Sequence, residues 1–131
     1  MKKVISILCA LAVAGGLASE ASAATTWRTV ATKGISGGYT ITSLSRTIVK
    51  PRAMRAKTVA ARAGGSAYWS VACSRGWTIK SRSGHFSIPA GTTTHAIPRL
   101  FQSVPDSCDV VLSFDNGLNG GSISLRLQKR A

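Results

Sequence analysis

Apolar and polar residues alternate along much of the chain, most clearly towards the C-terminus. Every second side chain is apolar in residues 108–114, and residues 122–128 repeat the pattern with Ile123, Leu125 and Leu127. Successive side chains of a strand point to opposite faces, so this alternation predicts two half-buried strands. The segment between them is rich in asparagine and glycine, which accept positive φ. We therefore expect these two strands to form a hairpin.

A second hairpin is predicted around Gly64 and Gly65. Its outgoing strand, residues 67–73, places Trp69 on an apolar face. A two-residue turn would set Trp69 opposite Ala60, whereas a three-residue loop would reverse the parity of the pairing.

The incoming arm of that hairpin has a rival interpretation as a helix. Residues 52–63 follow Pro51 and precede Gly64, which is the punctuation typical of a helix. Thr58 and Val59 favour a strand instead, because β-branched residues suit a pleated sheet. We expect a strand.

Further strand-forming segments are separated by turn signals. The strands are predicted at residues 27–32, 39–44, 46–50, 77–80, 85–88 and 94–100, with turns at 34–38, 83–84, 89–91 and 105–106. Short strands at this spacing predict an antiparallel β-sandwich of roughly seven to nine strands, with an immunoglobulin-like or related Greek-key layout.

The N-terminus reads as a secretory signal peptide. Lys2 and Lys3 precede an apolar run at residues 4–13, and Ala-Ser-Ala at residues 21–23 fits a cleavage site. The run is too short to span a bilayer comfortably, and no later segment is a transmembrane candidate. We expect residues 1–23 to be removed, leaving a single secreted domain at 24–131.

The predicted export also accounts for the odd number of cysteines. Cys9 lies in the signal peptide, which leaves Cys73 and Cys108 as a pair for one disulfide. Both are predicted on inward faces at strand ends, so the bridge is expected to join the two layers across the core. Trp69 near this bridge is similar to the immunoglobulin-like arrangement, although here the tryptophan precedes the first cysteine on the same strand.

Positive charge dominates the composition. The chain has 17 basic and 4 acidic residues. Lys2, Lys3 and Glu20 belong to the signal peptide, so fifteen basic and three acidic residues remain, a net charge of +12 without any glutamate. Such an imbalance attracts polyanions in a salt-dependent way.

The basic residues between positions 46 and 62 are the strongest candidate for a binding site. The predicted anion-binding set is Arg46, Lys50, Arg52, Arg55, Lys57 and Arg62. The alternative is a solvated strand edge, which needs only one or two charges. Six cations without an intervening acid favour a true electrostatic surface.

No catalytic motif stands out in the sequence. His85 and His95 could act as bases, but no G-x-S-x-G stretch accompanies them, so ordinary surface histidines are the better interpretation. No cofactor or metal site is predicted. Trp69 and Trp77 are expected in the core, which leaves Trp27 as the candidate platform for a carbohydrate.

These observations favour an exported, cationic, non-enzymatic binding protein. Its expected partner is an anionic polymer, an acidic lipid surface or an acidic protein, without sequence-specific recognition of nucleic acid. Two alternatives stay open: a secreted antibacterial or toxin-like protein that acts on membranes, and a small hydrolase or hydrolase inhibitor that uses His85 or His95.

Overall fold

The computed structural model describes residues 26–130, which form eight strands in two antiparallel sheets. The predicted signal peptide lies outside the described residues. The strands are β1 (Trp27–Ile35), β2 (Ile41–Val49), β3 (Ala53–Ala60), β4 (Gly65–Arg75), β5 (Thr78–Ile88), β6 (Gly91–Ile97), β7 (Ser107–Asp115) and β8 (Ile123–Arg130). Strand β3 confirms that the segment 52–63, which follows Pro51, forms a strand rather than a helix.

The strands alternate between the sheets. Sheet A has the order β1-β8-β3-β6 and sheet B the order β2-β7-β4-β5. The chain changes sheet at every connection except β4 to β5. This is the eight-stranded jelly-roll arrangement of two Greek keys. The predicted antiparallel sandwich is confirmed, with the Greek-key rather than the immunoglobulin strand order.

Both predicted hairpins are wrong. Strand β3 lies in sheet A and β4 in sheet B, and β7 and β8 are divided in the same way. Trp69 therefore pairs with Leu112 of β7 and Gly84 of β5, not with Ala60. Alternation identifies which side chains of a strand face the core. It does not identify the sheet that the strand joins, because the strands of both sheets turn one face to the core.

One predicted break between strands and one predicted turn are also replaced by continuous strand. Residues 39–44 and 46–50 contribute to one strand, β2, and the expected turn at residues 83–84 lies inside β5. Gly84 pairs with Trp69 there, and a Cβ at this glycine would lie 2.6 Å from the indole Cζ2 atom. The glycine leaves space for an aromatic ring rather than for a turn.

The core lies between the two sheets. Sheet B supplies the larger inward side chains, Trp69, Leu112 and Phe114, all at most 7% exposed. Sheet A contributes Leu125 and Leu127 beside several alanines. Trp69 is thus in the core, as predicted.

The disulfide between Cys73 and Cys108 is confirmed, but its expected position across the layers is wrong. The two cysteines are direct cross-strand partners on β4 and β7 of sheet B, with Cα atoms 4.0 Å apart. Both are fully buried on the inward face. The bridge therefore staples two neighbouring strands of one sheet.

The loops at one end of the sandwich are tied together by a buried asparagine. The Asn116 amide nitrogen donates to the carbonyls of Gly37, Gly38 and Gly121, and its oxygen accepts from the Thr40 N–H. We call this the asparagine end. The opposite end contains the β4–β5 hairpin turn and the start of β7.

Candidate anion-binding face

The outward face of sheet A collects cationic side chains from its two central strands. Arg55 and Lys57 alternate with buried residues on β3, and Arg126 does the same on β8, where Arg130 has the same parity. Strands β3 and β8 are antiparallel neighbours, so the four side chains share one surface. We call these four residues and Trp27 of β1 the basic face.

Two of these cations are placed directly opposite each other. Lys57 on β3 pairs with Arg126 on β8. Like charges at a cross-strand position destabilise a sheet. Among residues 26–130 the carboxylates lie elsewhere: Asp109 and Asp115 belong to β7 of sheet B, and Asp106 directly precedes that strand. The repulsion is therefore not relieved by an acidic neighbour on this face.

Trp27 organises the other two cations. The Arg55 guanidinium carbon lies 4.2 Å from the centroid of the Trp27 ring, and that of Arg130 lies 5.6 Å from it. The Arg55 Nε–H also donates to the Gln128 side chain at 2.8 Å, and the Gln128 amide donates to the Thr29 hydroxyl. Cation–π contacts and this hydrogen-bond chain hold the arginines in place before a ligand arrives.

A depression of about 540 Å³ adjoins the basic face. Trp27, Met54 and Ile97 contribute apolar wall, and Arg52 and Arg55 lie among the lining residues. Such a lining can accept an anionic group together with an apolar portion of the same ligand.

The six predicted anion-binding residues are divided by the fold. Arg55 and Lys57 lie on the basic face. Lys50 and Arg52 lie in the link from β2 to β3, at the end opposite Asn116. The remaining two lie apart from both pairs: Arg46 is on edge strand β2 of sheet B, and Arg62 is at the asparagine end, where it donates to the Asn119 carbonyl.

Sequence reasoning did not include Arg126, Arg130 or Trp27 in the anion site. The alternation along β8 does predict that Arg126 points outward, because it lies between the inward residues Leu125 and Leu127. What could not be read from the sequence is that β8 lies between β1 and β3.

The outward face of sheet B has a different composition. Twelve of its twenty paired outward positions carry hydroxyl groups, and none carries lysine or arginine. We call it the hydroxyl face. Its hydroxyl residues are Ser43, Ser45, Thr47, Ser66, Tyr68, Ser70, Ser74, Ser81, Ser83, Ser87, Ser107 and Ser113.

The two histidines lie on different faces of their sheets. His85 is exposed on the hydroxyl face beside Tyr68. His95 of β6 stacks on Phe86, with ring centroids 4.2 Å apart. It occupies an inward position of sheet A, opposite Ala56. Nothing in this arrangement directs the two imidazoles at a common substrate.

The tryptophans are distributed differently from the prediction. Trp27 is half-buried beneath two arginines rather than open as a carbohydrate platform. Trp77 was expected in the core, and this is wrong: it is fully exposed in the β4–β5 turn. The turn lies beyond the paired strands, where no second layer covers it.

Comparison with known proteins finds distant structural neighbours. No protein-family model matches the chain, and no curated protein is significantly similar in sequence. A carbohydrate-binding module, TmCBM61, in complex with β-1,4-galactotriose has a TM-score of 0.45 and 13% identity, over 84% of this chain and 92% of that one. The C-terminal domain of a structural protein from Sulfolobus turreted icosahedral virus has a TM-score of 0.41 and 11% identity, over 81% and 100%.

A family 11 carbohydrate-binding module from Clostridium thermocellum, in complex with a β-1,3-1,4-mixed-linked tetrasaccharide, has a TM-score of 0.38 and 8% identity, over 80% and 88% of the two chains. At these scores no ligand is transferred to the present chain. Within residues 26–130 the structure also has no helix long and apolar enough to cross a bilayer.

Proposed function

We propose that the chain is an exported, non-enzymatic binding protein whose basic face holds an anionic polymer. One observation carries the proposal: the outward face of sheet A gathers four cations, with Lys57 directly opposite Arg126, while the outward face of sheet B has no cation at its paired positions. Positive charge that served only solubility would not have to be concentrated on one face. An even distribution over the surface would avoid the repulsion between Lys57 and Arg126.

The face suits a repeating anion better than a single small one. Its cations lie along two neighbouring strands, where residues two apart are roughly 7 Å from each other and strands about 5 Å apart. Arginine forks can take sulfate, phosphate or carboxylate groups in bidentate fashion. Trp27 holds two of these forks in place, so less conformational entropy is lost on binding.

The test is the salt dependence of binding to a heparin oligosaccharide. Four ionic contacts predict a log–log slope of affinity against salt near −3, from a loss of roughly 0.7–0.9 per neutralised charge. The variant Lys57→Ser/Arg126→Ser should roughly halve that slope, and weaken binding by about tenfold or more at low salt.

Two controls distinguish binding by the basic face from binding that depends only on the net charge of the protein. Lys33→Ser/Arg82→Ser removes the same charge from exposed positions on β1 and β5. Adding Ser45→Lys and Ser83→Arg to the first variant restores the net charge, but on the hydroxyl face. We expect the first control to bind almost as the native protein does and the second to stay weak. Equal loss in both double variants, or restored binding in the compensated one, would refute the proposal.

A further inference from the structure

The β4–β5 hairpin presents an exposed apolar tip. Trp77 is 102% exposed and Ile79, two residues further, is 73% exposed. A fully exposed tryptophan is unusual, because this residue is on average highly buried. We call residues 76–79 the hairpin tip.

The turn that carries Trp77 is braced. Gly76 has φ +64° at the first central position of a two-residue turn, where glycine permits the twist that a hairpin requires. Its N–H donates to the Asp106 carboxylate at 2.8 Å, and the Asp106 N–H donates to the Ser74 carbonyl at 2.8 Å. The indole therefore projects from an anchored turn.

Basic side chains accompany this tip. Arg75 immediately precedes the turn, and Lys80 follows Ile79 and packs over the Phe101 ring at 4.8 Å. The Lys50 N–H donates to the Asp106 carbonyl, which places its backbone against the same brace. These three basic residues outnumber the single carboxylate of Asp106, so the net charge around the tip is positive.

We infer that the hairpin tip docks into the headgroup region of an anionic lipid bilayer. An amphipathic indole beside an aliphatic side chain, flanked by lysine and arginine, is the composition that anchors proteins at membrane interfaces. The tip exposes both apolar side chains to solvent on a projecting turn, which suits a deformable lipid surface. Arg75 and Lys50 complement anionic headgroups. This docking uses a different part of the molecule from the basic face.

Partitioning of the full chain onto vesicles tests the inference. The probes are phosphatidylcholine vesicles with and without phosphatidylglycerol. Trp77→Ser should lower partitioning onto the anionic vesicles by roughly tenfold, since an indole buries a large apolar area. Arg75→Ser should lower it by about fivefold, the contribution of one basic residue near such a surface. The matched control is Leu118→Ser, which removes a side chain that is 91% exposed at the asparagine end.

Fluorescence identifies the docking residue. Native emission should shift to shorter wavelength when anionic vesicles are added, because Trp77 leaves water. Trp77→Phe should keep most of the partitioning but lose the shift. If the shift persists in Trp77→Phe, or if Trp77→Ser and Leu118→Ser partition alike, the inference is wrong. Equal binding to neutral vesicles would refute the role of the cations.

The same assay keeps the two proposals distinguishable. Lys57→Ser/Arg126→Ser should retain the full wavelength shift at saturating lipid even where its heparin affinity has fallen. Loss of the shift in that variant would mean that the basic face, and not the hairpin tip, determines how the protein meets the bilayer.

Discussion

The outward faces of the two sheets carry different kinds of side chain. The basic face of sheet A carries four cations and includes the opposed pair Lys57 and Arg126. The hydroxyl face of sheet B carries serine, threonine and tyrosine at most of its paired positions. A jelly roll does not require this division, which is why the proposed function places binding on the outward face of sheet A.

The inward faces differ in the opposite sense. Sheet B contributes Trp69, Phe114 and the buried disulfide, whereas the inward side chains of β3 in sheet A include Ala56 and Ala60. The covalent staple and the large aromatic core side chains thus belong to sheet B. Sheet A bears the repulsion between Lys57 and Arg126 on its outward face and packs its inward side chains against that layer. Stability and the proposed binding are in this way assigned to different sheets.

The largest expected effect comes from removing the staple of sheet B. Cys73→Ala/Cys108→Ala should lower the free energy of unfolding by about 3–4 kcal/mol, because the bridge closes a long loop in the unfolded chain. Urea denaturation measures this loss. Heparin affinity of the folded variant should stay native, since both cysteines lie on the inward face of the other sheet. A parallel loss of affinity would show that the two sheets are not separable.

A smaller effect is expected at the packing contact of sheet B. Gly84→Ala places a Cβ against the Trp69 ring and should cost about 1–3 kcal/mol, the range for overpacking a core. Gly38→Ala is the control, because a Cβ there meets nothing within 4 Å. The measurement is again urea denaturation. Equal stability of both variants would mean that the sheets slide to make room, and that sheet B is not the rigid layer.

The smallest effect is on sheet A and has the opposite sign. Lys57→Ser removes a like-charge pair and should raise the free energy of unfolding by about 0.2–1 kcal/mol at low salt. Salt should reduce the gain because it screens exposed charges. Thermal unfolding at several salt concentrations measures it, with Lys33→Ser as the control. Unchanged or lower stability would show that the opposed pair is not under strain.

Much of the fold could be predicted because it depends on local patterns. Alternation identified the inward residues of β7 and β8, and Thr58 with Val59 favoured a strand over a helix. The connections could not be predicted. The link at residues 61–64 is short enough for a hairpin, yet extended residues span over 3 Å each and so also reach the other sheet, about 10 Å away.

The candidate site was predictable only in part. Arg55 and Lys57 share a face because they are two apart on one strand, which parity alone indicates. Their association with Arg126 and Arg130 spans some seventy residues of sequence and depends on β8 lying beside β3. Trp77 was misplaced for a related reason: its alternation with Ile79 resembles a buried strand, but a hairpin that extends beyond its covering layer leaves both exposed.

By itself the sequence determined the alternation that forms strands and the excess of positive charge, since each depends on residue type or on immediate neighbours. Tertiary structure alone decided which sheet each strand joins. Backbone hydrogen bonds between distant segments set that choice. It determines that four cations gather on the outward face of sheet A and hydroxyl groups on the outward face of sheet B, and that Trp77 is exposed at the hairpin tip.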